Sequence, residues 1–151
     1  MIKDKIIAGI AVGILADVVK LAFNYLAFSL KFTNVVFWQI TATPFLAKKD
    51  LFTPLTYFIG GTVDLIVTAI LGVIFVYFIY YTASDYLWIK GIGFGLITWV
   101  GLFGTFLGRI AFDKLPQSPM GVVVTLIAHL FFGLGLALFT HLIVDSEALK
   151  S

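Results

Sequence analysis

The sequence predicts an all-α integral membrane protein: a bundle of four transmembrane helices with an interfacial or re-entrant helix between helices 1 and 2. Of its 151 residues, 61% are hydrophobic and 12% are charged, whereas soluble domains are about 45–50% apolar and about 25% charged. A chain this short cannot bury so much apolar surface against itself, because its surface-to-volume ratio is too high. Four continuous apolar runs each exceed the roughly 20 residues with which a helix crosses a bilayer.

The predicted spans are residues 6–30, 55–81, 86–112 and 118–144, in a single transmembrane domain covering residues 1–151. Each should be a helix, because lipid offers the backbone no hydrogen-bond partner. Continuous rather than alternating apolarity argues against a barrel. Pro54 and Pro119 stand at helix starts, where proline is tolerated. Short connections predict antiparallel hairpins between spans 2 and 3 and between spans 3 and 4.

The one long connection, residues 31–53, is too apolar for an ordinary solvated loop and too short to span. Its residues 34–47 predict a helix that lies in the membrane interface or dips into it, with a partly buried loop as the alternative. We expect Trp38 to anchor this helix and Lys48 and Lys49 to meet lipid headgroups. Trp88 and Arg109, near the two ends of the third span, are further predicted interfacial anchors.

Polar residues of the first span form one stripe. On a helix of 3.6 residues per turn, a single narrow edge carries Gly13, Asp17, Lys20 and Asn24. A charge at the bilayer centre costs about 2.5–3.5 kcal/mol on insertion scales, so this edge should face protein or water. Asp17 and Lys20 are three positions apart and can pair within the helix.

Two other spans place ionisable residues at a similar depth. At a rise of about 1.5 Å per residue, Asp64 in the second span and His129 in the fourth lie on the same side of the bilayer centre as Lys20. We expect these residues and Asp17 to meet in one polar layer, with Asn24 nearby. The layer is either a structural clamp between helices or a path for protons, ions or a solute.

The third span is rich in glycine, which lets helix backbones approach closely. The glycines with this predicted packing role are Gly91, Gly95, Gly101, Gly104 and Gly108. They serve either packing within one chain or contact between chains, and their spacing favours neither.

The sequence also argues against several kinds of site and activity. It has no cysteine and only two histidines, so no cofactor and no metal site are predicted. The common hydrolase, metalloprotease and nucleotide-binding motifs are absent, and the protein is therefore predicted not to be an enzyme. A net charge of +2, carried by scattered residues, does not indicate nucleic-acid binding.

Three segments carry a family resemblance. They are IIAGIAVGILADVVKLAFNYLAF at the start, WIKGIGFGLITW opening the third span and HLFFGLGLALF in the fourth. These segments resemble the YqhR-like small membrane proteins of Gram-positive bacteria. The resemblance implies a four-span protein of the bacterial cytoplasmic membrane. It implies no role for any polar residue, since that family has no assigned activity.

Two functions fit these features. The first is a non-enzymatic structural or assembly component, whose partners are the lipid bilayer and either further copies of the chain or another membrane protein. The alternative is a small channel or transporter that conducts protons, ions or a small solute through the polar layer of helices 1, 2 and 4. The distribution of lysine and arginine between the two sides leaves the orientation open.

Overall fold

The computed structural model describes residues 2–144, without the side chains of residues 105 and 106, and it is almost wholly helical. Four of its helices are long and apolar enough to cross a membrane, which confirms the predicted all-α bundle. The helices are α1 (Lys5–Ser29), α2 (Phe37–Ala42), α3 (Pro54–Thr82), α4 (Leu87–Gly101), α5 (Leu107–Lys114) and α6 (Pro119–Ile143). A short 3-10 helix covers Lys48–Asp50.

The third span is not one regular helix. Its backbone is α-helical to Gly101, π-helical over Leu102–Phe106 and α-helical again in α5. The backbone hydrogen bonds of a π segment span one residue more than those of an α-helix, and such segments are frequent at functional sites. The candidate spanning part of this region is Leu87–Gly104, which is shorter than the predicted 86–112.

The long helices pack in the order α3, α1, α6, α4. α1 contacts both α3 and α6 extensively, and α4 packs mainly on α6, whereas α3 and α4 touch only slightly. The expectation that spans 2 and 3 pack as a hairpin is therefore wrong, because α4 takes α6 as its partner. Lys90 at the start of α4 instead donates hydrogen bonds to the carbonyls of Thr82 and Ala83 at 2.7 and 2.8 Å. Its charge covers the C-terminal end of α3.

The apolar core lies where α1, α3 and α6 meet. Its members include Ala8, Val12, Ala16, Phe75, Val76, Ile79, Phe132, Leu136 and Ala137, all at most 1% exposed. Many large apolar side chains face outward instead, among them Ile66, Ile97 and Leu142. Such an outer surface suits lipid, since acyl chains solvate it as well as a core does.

The two chain ends of the described region lie at one side of the bundle, here called the terminal side. Ile2 forms an isolated bridge with Val144, and its amide donates to Ile143 O at 2.7 Å. The connection between α1 and α3 lies at the opposite side, here called the loop side. This arrangement follows from an even number of spans.

The long connection packs against the bundle at the loop side. α2 is shorter than the predicted 34–47, and all its residues except Trp38 are buried. A second small core beneath it contains Val35, Ile40, Ala42, Leu51, Ala111 and Leu115. Lys114 Nζ donates to the carbonyls of Thr43 and Leu46 at 2.6 and 2.8 Å. Short irregular backbone at membrane depth is tolerated when protein covers it, and this segment has such cover.

Candidate functional site

Lys20 is the centre of a buried ion cluster. Its Nζ lies 2.7 Å from Asp17 Oδ1 on the same helix and 2.7 Å from Asp64 Oδ1 on α3. The contact with Asp64 has hydrogen-bond geometry, whereas the contact with Asp17 is an ion pair without it. All three side chains are at most 2% exposed. One ammonium group therefore links α1 to α3 while facing two carboxylates.

The cluster holds more acceptors than donors. Within the described part of the chain, Asp17 Oδ2 and Asp64 Oδ2 have no hydrogen-bond partner. When both carboxylates are ionised, one negative charge is in excess over the single lysine. Buried polar groups without partners are unusual and call for a proton, a water molecule or a ligand.

Glycines bring α1 and α3 close enough for this contact. A Cβ on Gly13 would collide with the carbonyl of Thr68, and a Cβ on Gly72 would lie 2.6 Å from the Cα of Gly13. The two backbones therefore touch, as small residues permit. Lys20 lies farther along α1 than Gly13, and Asp64 precedes Thr68 on α3, as antiparallel neighbours do. The same crossing sets the distance between the lysine and the aspartate.

The connection after α1 covers the ion cluster from the loop side. The amide of Phe37 donates to Asn24 Oδ1 at 2.8 Å, and both residues are buried. The centroid of the Phe37 ring lies 4.0 Å from Lys20 Nζ, and that of Phe132 lies 5.7 Å away. Both rings offer the ammonium a cation–π contact. Asn24 thus holds the segment that covers the cluster, and no hydrogen bond in the described residues joins its side chain to the ions.

His129 lies beside the ion cluster. Its Nδ1 is 2.8 Å from the carbonyl of Thr125, and a carbonyl only accepts, so Nδ1 carries the hydrogen. Nε2 of the neutral ring then keeps a free lone pair. The ring packs against those of Phe37 and Phe103, with both centroid distances at 5.6 Å. No described hydrogen bond or ion pair joins His129 to Lys20.

A cavity of about 210 Å³ links the ion cluster to His129. Its polar lining consists of Lys20, Thr41, Asp64, Thr68 and His129. Apolar residues supply the rest, from α3 on one side and from Leu102 and Leu107 at the α4–α5 junction on the other. Since α3 and α4 barely touch, the cavity lies in the gap between them.

Gly91 and Gly95 lie against α6. A Cβ on Gly91 would lie 2.5 Å from Gly133 O, and a Cβ on Gly95 would collide with the carbonyl of His129. These glycines therefore pack within one chain. Their close contact also fixes the position of the α6 backbone at His129.

The other three glycines of the third span have different surroundings. A Cβ on Gly108 would collide with the carbonyl of Phe103, across the π segment of its own helix. Gly101 and Gly104 are exposed. Among the described atoms, a Cβ on Gly101 would meet nothing within 4 Å, and one on Gly104 would meet only Val100 Cγ1 at 3.8 Å. Neighbouring helices of the same chain do not require these two residues to be glycine.

The predicted anchors divide into two groups. The exposed ones are Lys48, Lys49, Trp88 and Arg109. Trp38 is half-buried and packs edge-on against Tyr57 of α3, with ring centroids 6.1 Å apart. Trp38 thus fastens α2 to α3 as well as facing outward.

Sequence reasoning missed the covering role of Phe37 and the crossing at Gly72. Nothing in the sequence context of Phe37 distinguishes a ring that covers a lysine from one that meets lipid. A signal for the crossing did exist, since Gly9 and Gly13 are spaced as GxxxG in the first span.

Metal binding has little support in the described residues. No group of three His, Cys, Asp or Glu side chains is placed to hold a metal ion there. The ammonium of Lys20 lies between the two carboxylates, where a cation would otherwise be bound.

Comparison with known proteins gives one match. A family described as a family of unknown function (DUF6789) matches residues 3–150. No curated protein and no solved structure matches the chain. The match extends over all four spans and brings no activity with it.

Proposed function

The chain belongs to the DUF6789 family of unknown function, and we propose that it is a non-enzymatic membrane protein that acts by assembly, first of all with copies of itself. The observation that carries this proposal is the Lys20 bridge between Asp17 and Asp64. Because these charges hold α1 against α3, they serve the fold. Partners would then bind the outer surface of the helices.

The surroundings of Lys20 support a clamp. An ammonium group has three hydrogens, and this one contacts two carboxylates and the face of the Phe37 ring. Removing one partner of a buried ion pair costs about 3–5 kcal/mol, because the other charge is left uncompensated. A lysine with these three contacts can hold α1 and α3 together.

The terminal half of the bundle also favours a clamp over a conducting path. Between the ion cluster and the terminal side, the bundle interior is filled by Phe75, Ile79 and Leu136, each 0% exposed. An ion crossing this layer would lose its water and meet apolar side chains and the buried hydroxyl of Thr140, and such desolvation of a charge costs several kcal/mol or more. The described interior therefore offers an ion no continuous polar route.

The outer face of α4 supports contact between chains. Ile97 and Val100 are 73% and 59% exposed on this face. Gly93 of α4 lies one turn before Ile97, and Gly104 of the following π segment lies next to Val100. A Cβ on Gly93 would meet no atom within 4 Å. Small residues between larger ones form a shallow groove in which a second helix can pack closely. We assign the contact between copies to this face.

The test is the oligomeric state of the protein in lipid nanodiscs or mild detergent. We expect a discrete oligomer, and Gly104→Leu should shift it toward the monomer because the new side chain fills the groove. The control is Thr62→Leu, at an exposed position of α3, which should leave the oligomer intact. Helix content and thermal midpoint should stay unchanged in both variants.

A purely monomeric protein that co-purifies with no other membrane protein would overturn the assembly proposal. A second membrane protein recovered in fixed ratio would favour the other form of assembly, a subunit of a mixed complex. Gly104→Leu should then release that partner.

The proposal also includes a membrane location and a role without catalysis. The resemblance to YqhR-like proteins supports placement in a bacterial cytoplasmic membrane. The lack of a hydrolase or nucleotide-binding motif supports a role without catalysis.

Conduction of protons, ions or a small solute is the alternative function. The observation that favours it is the pair of carboxylate oxygens without partners, Asp17 Oδ2 and Asp64 Oδ2. Ionisable groups inside a membrane often belong to proton or ion pathways. Flux measurements separate this alternative from the clamp.

A further inference from the structure

The cavity between α3 and the α4–α5 junction opens toward lipid. Val63, Val67 and Leu71 line it on α3, and Leu102 and Leu107 line it opposite. Its rim includes Phe45, which is 63% exposed. All these side chains are apolar: four belong to candidate spans, Leu107 belongs to α5, and Phe45 belongs to the long connection. A molecule entering here would come from the membrane phase.

The inner end of the cavity offers acceptors without partners, whereas the ammonium of Lys20 already contacts Asp17, Asp64 and the Phe37 ring. Asp64 Oδ2 is buried without a partner, and Nε2 of neutral His129 keeps its lone pair. The two lining hydroxyls already donate elsewhere, Thr68 to the carbonyl of Asp64 at 2.8 Å and Thr41 to the carbonyl of Gly60 at 3.0 Å. What the site lacks is therefore a hydrogen-bond donor.

Charge and shape exclude several ligand classes. The carboxylates repel an anion, and Lys20 already lies between them, so a metal cation finds its position taken. The apolar walls disfavour any strongly hydrated group. A dry cavity of about 150 Å³ accepts benzene. A volume of about 210 Å³ therefore suits a body of roughly ten non-hydrogen atoms.

We propose that this cavity binds a neutral, membrane-dissolved alcohol or phenol of about that size, or the hydroxyl-bearing end of a longer lipid. The apolar body lies against Val67, Leu71 and Leu107. The hydroxyl donates to Asp64 Oδ2, since hydrogen bonds to a charged acceptor are about twice as strong as neutral ones. This site goes beyond assembly and does not depend on it.

The experiment uses the full chain in nanodiscs with isotope-labelled histidine side chains. His129 lines the cavity, and the only other histidine, His141, is exposed and serves as an internal control. The probes are 4-propylphenol, which has a hydroxyl donor, and 4-propylanisole, in which a methyl group replaces that hydrogen. Protein-free nanodiscs correct for partition into lipid.

We expect the phenol to shift the His129 signals in a saturable manner, with His141 unchanged. The anisole should bind about tenfold more weakly, as expected for the loss of one charge-assisted hydrogen bond. Val67→Trp should abolish the saturable shift by filling the cavity. Ile66→Trp, on the neighbouring lipid-facing position that is 56% exposed, should leave it intact.

Three results would overturn this proposal. If the phenol causes no saturable shift, the cavity is closed or holds only water. If both probes bind equally, the assigned hydrogen bond to Asp64 is wrong. If Val67→Trp and Ile66→Trp behave alike while both remain folded, the probe binds elsewhere on the protein or only in the lipid.

Discussion

Lys20 Nζ and Asp64 Oδ1 lie 2.7 Å apart across the α1–α3 contact, and both side chains are buried. Because both groups are removed from bulk solvent, each depends on the other. The pair also depends on its neighbours, because Asp17 shares the lysine and Phe37 covers it. The stability of the bundle should therefore respond to the cluster as a unit.

Lys20→Met should be among the most destabilising single substitutions. It keeps most of the side-chain length but leaves two carboxylates facing each other in an apolar interior. The expected loss is about 3–5 kcal/mol in the free energy of unfolding, measured by reversible unfolding in bicelles or mild detergent. Lys49→Met, at an exposed lysine, should change it by no more than about 0.5 kcal/mol.

A neutral replacement of the whole cluster should recover most of that loss. Replacing all partners of a buried ion group is often neutral or stabilising, so Asp17→Asn, Lys20→Met and Asp64→Asn together should be far more stable than Lys20→Met alone. Equal loss in the triple and single variants would mean that the charges are not coupled as the structure indicates.

The crossing of α1 and α3 should tolerate no side chain at Gly13. Gly13→Ala places a methyl group against the carbonyl of Thr68, and forcing the backbones apart should cost about 1–3 kcal/mol or more. Gly61→Ala on α3 is the matched control, because its methyl group would meet only ring atoms of Trp38, at 3.7 and 3.8 Å. Unfolding of both variants in the same detergent gives the comparison, and similar stabilities would contradict the close crossing.

Asn24 should control the order of the connection that follows α1. Asn24→Ala leaves the buried amide of Phe37 without its acceptor, a loss of about 1–3 kcal/mol. Hydrogen exchange at that amide should become faster. Ser29→Ala, which removes an exposed hydroxyl bonded to Tyr25 O, should leave exchange at Phe37 unaltered. Unchanged exchange in Asn24→Ala would refute the assigned role.

The helical stripe of the first span could be predicted because its period is a property of the α-helix alone. Asp17 and Lys20 share an edge in the sequence, and they pair in the structure. The depth in the bilayer estimated from the helix rise also predicted that Asp64 and His129 lie near Lys20. Which groups make contact depends on side-chain rotamers, and His129 turns its Nδ1 to the Thr125 carbonyl on its own helix. Sequence spacing carries no information about that choice.

The pairs of helices that pack against each other were harder to predict than the positions of the helices in the sequence. A short connection between α3 and α4 suggested a packed hairpin, but glycines on two distant segments decide the contact. Gly91 and Gly95 fit the backbone of α6 at Gly133 and His129, and this match is visible only when both surfaces are placed together. The π segment at Leu102–Phe106 likewise had no signal beyond the clustering of glycines.

The central claim, that the buried charges hold the bundle and carry nothing across it, is tested most directly by flux. Purified protein is reconstituted into liposomes at verified density and assayed for proton and cation flux, with Asp64→Asn as the control. We predict flux no higher than in empty liposomes for both proteins. Flux through the native protein that Asp64→Asn abolishes would contradict the account and establish the polar cluster as a pathway.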